Sequence, residues 1–342
     1  MQADPDDPRQ FRHRTAVLNG NRWHFVDAGA GPVLLLLHGF PYTWYAFRKL
    51  IPLLAGAGYR VIAPDLLGYG ETDAPHDDEA YTQVRCTGDL VALLDALEVR
   101  AATLVGHDVG ASYAFAAAQM RADRFGALVL LGTPQTLRAA QPPGAIWRDF
   151  HARTGNTFYQ AYFATPAAVA ELDADVRRSL RAIMFSVSGA ADGAQRWRPH
   201  LAPGEGFLDT VHDPRRLPDW LSPRALDTYV VAYAARGFRG PLAAYRCREA
   251  NWRLGAFVAD RKPPQPCLFV GGSVDPSIER MRASYDALEQ VLPDLRGKPL
   301  VPGAGHGLPE ENPGALAALM LPFLAAARGH PGAARGAPGP PS

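Results

Sequence analysis

Leu104-Val105-Gly106-His107-Asp108-Val109-Gly110-Ala111 decides how this chain is read. Apolar residues lead into it from Ala102, as in a short buried strand, and a helical pattern leaves it from Ala111 to Met120. Between the two, the spacing is Gly-x-Asp-x-Gly, a nucleophile elbow with a carboxylate where a serine usually stands. Gly106 and Gly110 permit a tight turn and close packing of helix on strand. Such a turn lifts one side chain into a pocket, and the helix N-terminus behind it favours a negative charge. Taken alone, the segment fits equally well an aspartate that caps a helix after a strand.

The surroundings supply the sheet. Residues 33–37 are an unbroken apolar run between Gly31-Pro32 and His38-Gly39, which suits a strand covered on both faces. Similar runs at 59–63, 102–105, 127–131 and 267–270 are separated by amphipathic helical stretches such as 84–97 and 111–120. Strands alternating with helices predict an α/β class with a mostly parallel, doubly wound sheet. Strand-like residues 15–18 and 22–26, joined by Asn19-Gly20, predict an opening hairpin.

The alternation stops near Thr133-Pro134. A helical, irregular stretch rich in Pro, Arg and aromatic residues runs to about Leu254. The β/α pattern then resumes at Pro266 and closes with a helix over 315–327. The predicted organisation is an N-terminal tail at 1–13 and the first part of an α/β core at 14–136. An inserted helical cap follows at 137–254, and the second part of the core at 255–328. Residues 329–342, mostly Gly, Pro and Ala, are expected to be disordered. Open α/β sheets bind ligands beyond the carboxyl ends of their strands, so the cap would roof the site.

Composition narrows the options. The chain has 342 residues, 47% hydrophobic and 20% charged, with a net charge of +1, enough for a large core and too balanced to attract nucleic acid. Cys86, Cys247 and Cys267 stand too far apart for a metal-ligand pattern or a disulfide framework, so reduced, buried thiols are expected. Residues 1–14 lack the positive start and apolar run of a signal peptide. The longest apolar run, 314–327, is too short to span a bilayer and holds Pro322. A cytoplasmic protein with no membrane span, no metal and no organic cofactor is the expectation. The oligomeric state is not legible.

Two later segments complete the elbow. Asp275 ends Phe269-Val270-Gly271-Gly272-Ser273-Val274-Asp275, just beyond a late strand, and His306 sits in Gly303-Ala304-Gly305-His306-Gly307 after the short strand Leu300-Val301. The chain order is nucleophile, acid, histidine. His306 can serve as general base and Asp275 can hold its ring in the useful tautomer. Gly132-Thr133-Pro134 follows the strand at 127–131, so no rival acid stands there. His38-Gly39-Phe40-Pro41 ends the first parallel strand, where a tight turn can aim the Phe40 N–H into the pocket. With the Val109 N–H it would form an oxyanion hole.

The combination of His38-Gly39-Phe40-Pro41, Gly106-His107-Asp108-Val109-Gly110, Asp275 and His306 resembles the α/β-hydrolase-fold epoxide hydrolases, from about Arg14 to Ala327. The resemblance implies that fold with a helical cap, an epoxide and water as reaction partners, and no cofactor. It also implies ring-opening tyrosines in the cap. Tyr159-Gln160-Ala161-Tyr162-Phe163 looks like the segment carrying the first, on Tyr159, with Tyr162 as its competitor for the register. The stretch from Phe238-Arg239-Gly240-Pro241-Leu242 to Tyr245-Arg246 and Asn251-Trp252 looks like the segment carrying the second, on Tyr245. His38, Pro41, His107 and Tyr162 are expected to border the substrate pocket. One departure stands out: that family commonly has Trp directly after the nucleophile, and here Val109 keeps the N–H but removes a large wall.

The core motifs alone fit the related haloalkane dehalogenases too, and a non-catalytic ligand-binding member of the fold is the other alternative. The absence of Trp at 109 counts against a haloalkane dehalogenase, in which that indole holds the halide. Val109 and Ser112 stand where a fluoroacetate dehalogenase would be expected to place arginines. An esterase would gain nothing from a carboxylate, since acyl transfer to it gives an anhydride. At a saturated carbon the same carboxylate, already ionised, gives an ester that activated water can split.

Overall fold

Residues 4–328 are described by the computed structural model; the tail expected at 329–342 lies outside them. Strands β1 (His13–Leu18), β2 (Asn21–Ala28), β3 (Val33–Leu37), β4 (Arg60–Pro64), β5 (Ala102–His107) and β6 (Phe125–Leu131) come first. The chain then leaves the sheet for a mainly helical stretch in which β7 (Thr157–Phe158) and β8 (His200–Leu201) pair only with each other. It returns with β9 (Cys267–Gly272) and β10 (Leu300–Val301). The eight-stranded sheet has the order β1-β2-β4-β3-β5-β6-β9-β10. All neighbours from β4 to β10 are parallel, while β2 is antiparallel to both β1 and β4.

Local chemistry explains most of these elements. Asn19 and Gly20 take φ of 48° and 89°, the positive values a two-residue hairpin turn needs. Leu35, Leu36, Leu37, Leu104, Val105 and Leu128 are fully buried, which is why these strands read as continuous apolar runs. Each such side chain contributes about 1.5–3 kcal/mol by leaving water. The helix Val109–Met120 is Ala-rich on its buried side, so it lies close against β5 and β6. In the helical stretch, Thr165, Asp175 and Ser222 cap successive helices by accepting backbone N–H groups.

The strand order places the chemistry. From β3 the chain steps to β4 on one side, and β5 then starts the other side, so the order reverses between β3 and β5. The carboxyl ends of these two strands open on the crevice where such sheets bind ligands.

A buried ion pair ties this edge to the helical stretch. Arg48 and Glu310 are both fully buried and in direct contact, and the Tyr229 hydroxyl donates to the same carboxylate at 2.5 Å. Asp6 accepts from Arg48 Nε at 2.9 Å and from Ser222, which binds residues 4–12 into the junction. Removing one partner of a buried pair leaves an uncompensated charge. Glu310→Ala is therefore expected to cost about 3–5 kcal/mol in urea unfolding. A loss below about 1 kcal/mol would mean that Asp6 alone satisfies Arg48.

Candidate active site

The elbow is a strained turn held by glycines. Asp108 follows β5 with φ 52° and ψ −116°, a conformation that costs a non-glycine residue about 1–3 kcal/mol. A Cβ on Gly106 would lie 2.4 Å from the Gly110 carbonyl oxygen, and one on Gly110 would lie 2.2 Å from that of Leu37. Only glycine lets the helix start this close to β3 and β5.

Groups from three strand ends, those of β3, β5 and β10, meet on the Asp108 carboxylate, and a fourth, beyond β9, holds the histidine. Phe40 N–H, just past β3, donates to Oδ1 at 3.0 Å, and the Val109 N–H also bonds this carboxylate. His306 Nε2, beyond β10, lies 3.2 Å from Oδ2. The other ring nitrogen, Nδ1, lies 2.9 Å from Asp275 Oδ2, beyond β9, and so carries the hydrogen that it donates to that carboxylate. Asp275 is fixed in turn by the Ser277 N–H on its Oδ1 at 2.7 Å.

Electrostatics follow from this packing. Burial alone would lower the His306 pKa, but the Asp275 charge and the bonds to Asp108 and Asp275 carry it well above the usual imidazole range. Burial would raise Asp108, but the bond and charge of His306, with His107 and the Val109 N–H, hold it below the usual carboxylate value. Asp108 is thus ionised at neutral pH and His306 protonated beside it.

The cavity above Asp108 has a volume of about 40 Å³. Its walls include Phe40, His306, Tyr159, Tyr245 and Trp197, with further apolar side chains from the helical stretch. The Tyr159 and Tyr245 rings lie 6.2 Å apart, edge to face. Gln160 Nε2 donates to the Tyr159 hydroxyl oxygen at 2.9 Å, leaving the phenolic hydrogen free to donate elsewhere. Burial, then the Asp108 charge, raises the Tyr245 pKa well above its ordinary value, so this phenol stays protonated.

The residues expected to border the pocket are placed differently. His38, Pro41, His107 and Tyr162 are not among the walls of this cavity. His38 is a buried strut: its Nε2 accepts the Leu66 N–H at 2.9 Å, and burial pushes its pKa to about 4. Pro41 is buried below the turn. His107 is fully buried with its ring 5.1 Å from that of His306, donates from Nε2 to the His306 carbonyl at 2.7 Å, and is also lowered by burial to about 4. Tyr162 donates to Glu171 at 2.9 Å, so of the two rival tyrosines it is Tyr159 that faces the cavity. A strand–turn motif does not tell which neighbours of a nucleophile face the pocket and which face the core.

Sequence reading also missed residues. Glu311 accepts the backbone N–H groups of Gly189, Gly305 and Gly307 at 2.8, 2.8 and 2.9 Å, clamping the turn that carries His306. Its signal was an acid shortly after a Gly-His-Gly turn. Trp197, Phe163, Phe207, Ile183 and Val187 line the cavity but are indistinguishable in sequence from packing residues of a helical stretch.

Fold, strand order and the sequence order of these side chains are those of an α/β-hydrolase. Residues 32–175 match the family model described as the alpha/beta hydrolase fold. The chain is 40% identical to Epoxide hydrolase A of Mycobacterium tuberculosis, across 91% of this chain and 96% of the relative. It is 34% identical to an epoxide hydrolase of Caballeronia sordidicola, across 90% and 91%. Among solved structures, an epoxide hydrolase from an endophytic Streptomyces superposes with a TM-score of 0.88 at 35% identity, covering 93% of this chain and 96% of that one. Epoxide Hydrolase A from Mycobacterium thermoresistibile gives 0.85 at 36%, covering 92% and 98%. This chain belongs to the epoxide hydrolase family of the α/β-hydrolase fold. The dehalogenase and non-catalytic readings are not favoured. Among the described residues no helix is long and apolar enough to cross a membrane.

Proposed function

We propose that this chain opens an epoxide to a vicinal diol by two displacements on Asp108, in a site roofed by residues 137–254 over a core of 14–136 and 255–328. One observation carries the reading: Phe40 N–H, Val109 N–H and His306 Nε2 all converge on one carboxylate, under a cavity walled by two tyrosines.

Asp108 Oδ1 is held by the Phe40 amide, which leaves Oδ2 to attack an epoxide carbon. The C–O bond of the ring breaks as the ester bond forms. Tyr159 and Tyr245 hydrogen-bond the departing oxygen and one of them gives it a proton; a phenol of pKa ~10 suits a strongly basic alkoxide. Esterification removes one of the two carboxylate charges that hold the His306 proton. His306, still oriented by Asp275, then yields that proton, which replaces the one the tyrosine gave up, and the neutral ring can draw a proton from water. The hydroxide adds to the Asp108 carbonyl carbon, and the Phe40 and Val109 amides hold the oxyanion, each worth roughly 3 kcal/mol. Collapse releases the diol and restores the carboxylate.

Turnover in heavy-oxygen water is the direct test. In a single turnover the label is expected in the Asp108 side chain and not in the diol. A labelled diol with an unlabelled Asp108 peptide would end the two-step scheme. Tyr159→Phe and Tyr245→Phe are each expected to slow diol formation from styrene oxide by roughly 10²-fold, and the double change by still more. Full activity in the double variant would remove both hydroxyls from the reaction. A cytoplasmic setting is part of the proposal: all three cysteines are free and buried, which suits a reducing compartment.

A further inference from the structure

His13 begins β1 and His24 lies in β2, and the register sets His13 against Val26 and Thr15 against His24. The two histidines are therefore diagonal neighbours on one face of the hairpin. Their nearest nitrogens, His13 Nδ1 and His24 Nε2, stand 2.8 Å apart. His24 is buried, while His13 and Glu71 are exposed beside it. One side-chain atom from each of the three lies within 4.8 Å of the other two. Glu71 is distant from both histidines along the chain, so no local spacing marks the group.

The outer nitrogen of each ring is already anchored. His13 Nε2 lies 2.9 Å from the Pro8 carbonyl oxygen, and His24 Nδ1 lies 2.8 Å from Asp65 Oδ2. Asp65 is buried and also accepts the N–H groups of Trp44 and Glu71 at 3.0 and 3.1 Å. Thr72 Oγ1 accepts the His24 N–H at 3.0 Å, which fixes the turn carrying Glu71 against β2. Carbonyl and carboxylate oxygens only accept, so both outer nitrogens carry hydrogen. A third hydrogen must then lie between the two inner nitrogens. Three hydrogens on two imidazoles amount to one positive charge, so the gap is closed by one cation. A proton is one such cation. A divalent metal ion is another, taking a lone pair from each ring and leaving the outer hydrogens in place.

Metal-binding imidazoles commonly donate their other N–H to a carboxylate or a backbone carbonyl, as both rings do here. Two nitrogens and one carboxylate oxygen, with a position left for water, suit zinc. His13 and Glu71 open on a surface cleft of about 680 Å³, whose walls also include Trp44, Asp65 and Val231. The cleft gives an ion a way in and water a place to stand. Arg9, on the same wall, is paired with Asp7 at 2.8 Å. The cleft shares no wall residue with the cavity over Asp108.

We propose that His13 Nδ1, His24 Nε2 and the Glu71 carboxylate bind one zinc ion. Zn–N bonds of about 2.0–2.1 Å at a tetrahedral ion set two nitrogens roughly 3.3 Å apart, so the exposed His13 ring swings outward by about 0.5 Å. The ion ties the first strand to the turn at 70–72 and stabilises the fold without entering the epoxide chemistry.

Metal-stripped full-length protein, titrated with Zn²⁺ by calorimetry, is expected to take up one ion per chain at this site. At a free concentration about 100 times Kd the melting temperature is expected to rise by about 4 °C, and EDTA to reverse the rise. His13→Gln and Glu71→Gln, both at exposed positions, are each expected to weaken binding by roughly tenfold or more, since losing even a group behind a ligand costs that much. Diol formation by each metal-free variant is expected to match that of the metal-free parent. No uptake of Zn²⁺ up to about 100 µM would overturn the site. So would a loss of less than about tenfold in either variant, which would put the ion on other groups such as His306.

Discussion

Asp108→Ala is expected to lower diol formation from styrene oxide by on the order of 10⁴- to 10⁶-fold, the range seen when a nucleophile is removed from a coupled catalytic set. The effect is large because Asp108 serves both half-reactions. It forms the bond to the substrate, and its carbonyl then receives the water. Phe40 and Val109 N–H and His306 all converge on its carboxylate, so no other side chain can inherit the role. Alanine is the better replacement because an asparagine at this position faces an activated water and can revert to aspartate. The fold is expected to persist, since the glycines that shape the turn are untouched. Circular dichroism and a urea midpoint near that of the parent, with initial rates by chromatography of the diol, check both halves. A folded Asp108→Ala protein retaining more than about 1% activity would place the nucleophile elsewhere.

His306→Gln carries the second large effect, and of a different kind. The first displacement needs only the carboxylate and the tyrosines, so the ester is expected to form at close to its normal rate. Its hydrolysis loses a general base and is expected to slow by roughly 10²- to 10⁴-fold. The protein should therefore accumulate with one whole substrate molecule attached, visible as an increase in intact mass. A burst of epoxide consumption equal to the enzyme concentration should precede a slow steady rate. Glutamine still spans much of the imidazole volume beside Asp275, which limits collapse of the pocket. Normal steady turnover with no adduct would remove His306 from the hydrolytic step. The contrast is informative, because loss of the nucleophile abolishes the adduct and loss of the base preserves it.

The elements of the sheet were legible because burial on both faces leaves a plain mark. Val33–Leu37 and Leu300–Val301 were read at their observed bounds. At β5 the apolar run reads as 102–105, but the strand continues to His107, since Gly106 and His107 pair with Leu130 and Leu131 of β6. That pairing is a property of the neighbour, and the local sequence holds no trace of it.

What the sequence by itself determined is the local chemistry: Gly106-His107-Asp108-Val109-Gly110 permits a tight turn from strand to helix, and a carboxylate raised on it restricts the reactions open to the site. It also set the order of Asp108, Asp275 and His306 along the chain. Tertiary structure alone decided which neighbours face the cavity. His38 and His107 flank the catalytic residues in sequence, yet both turn into the core, while Trp197 and Tyr245 arrive from far along the chain. It alone revealed the clamp of Glu311 on three backbone N–H groups. The physical reason is range. Backbone propensity and turn geometry act over a few residues, whereas burial and charge pairing depend on every segment that packs nearby.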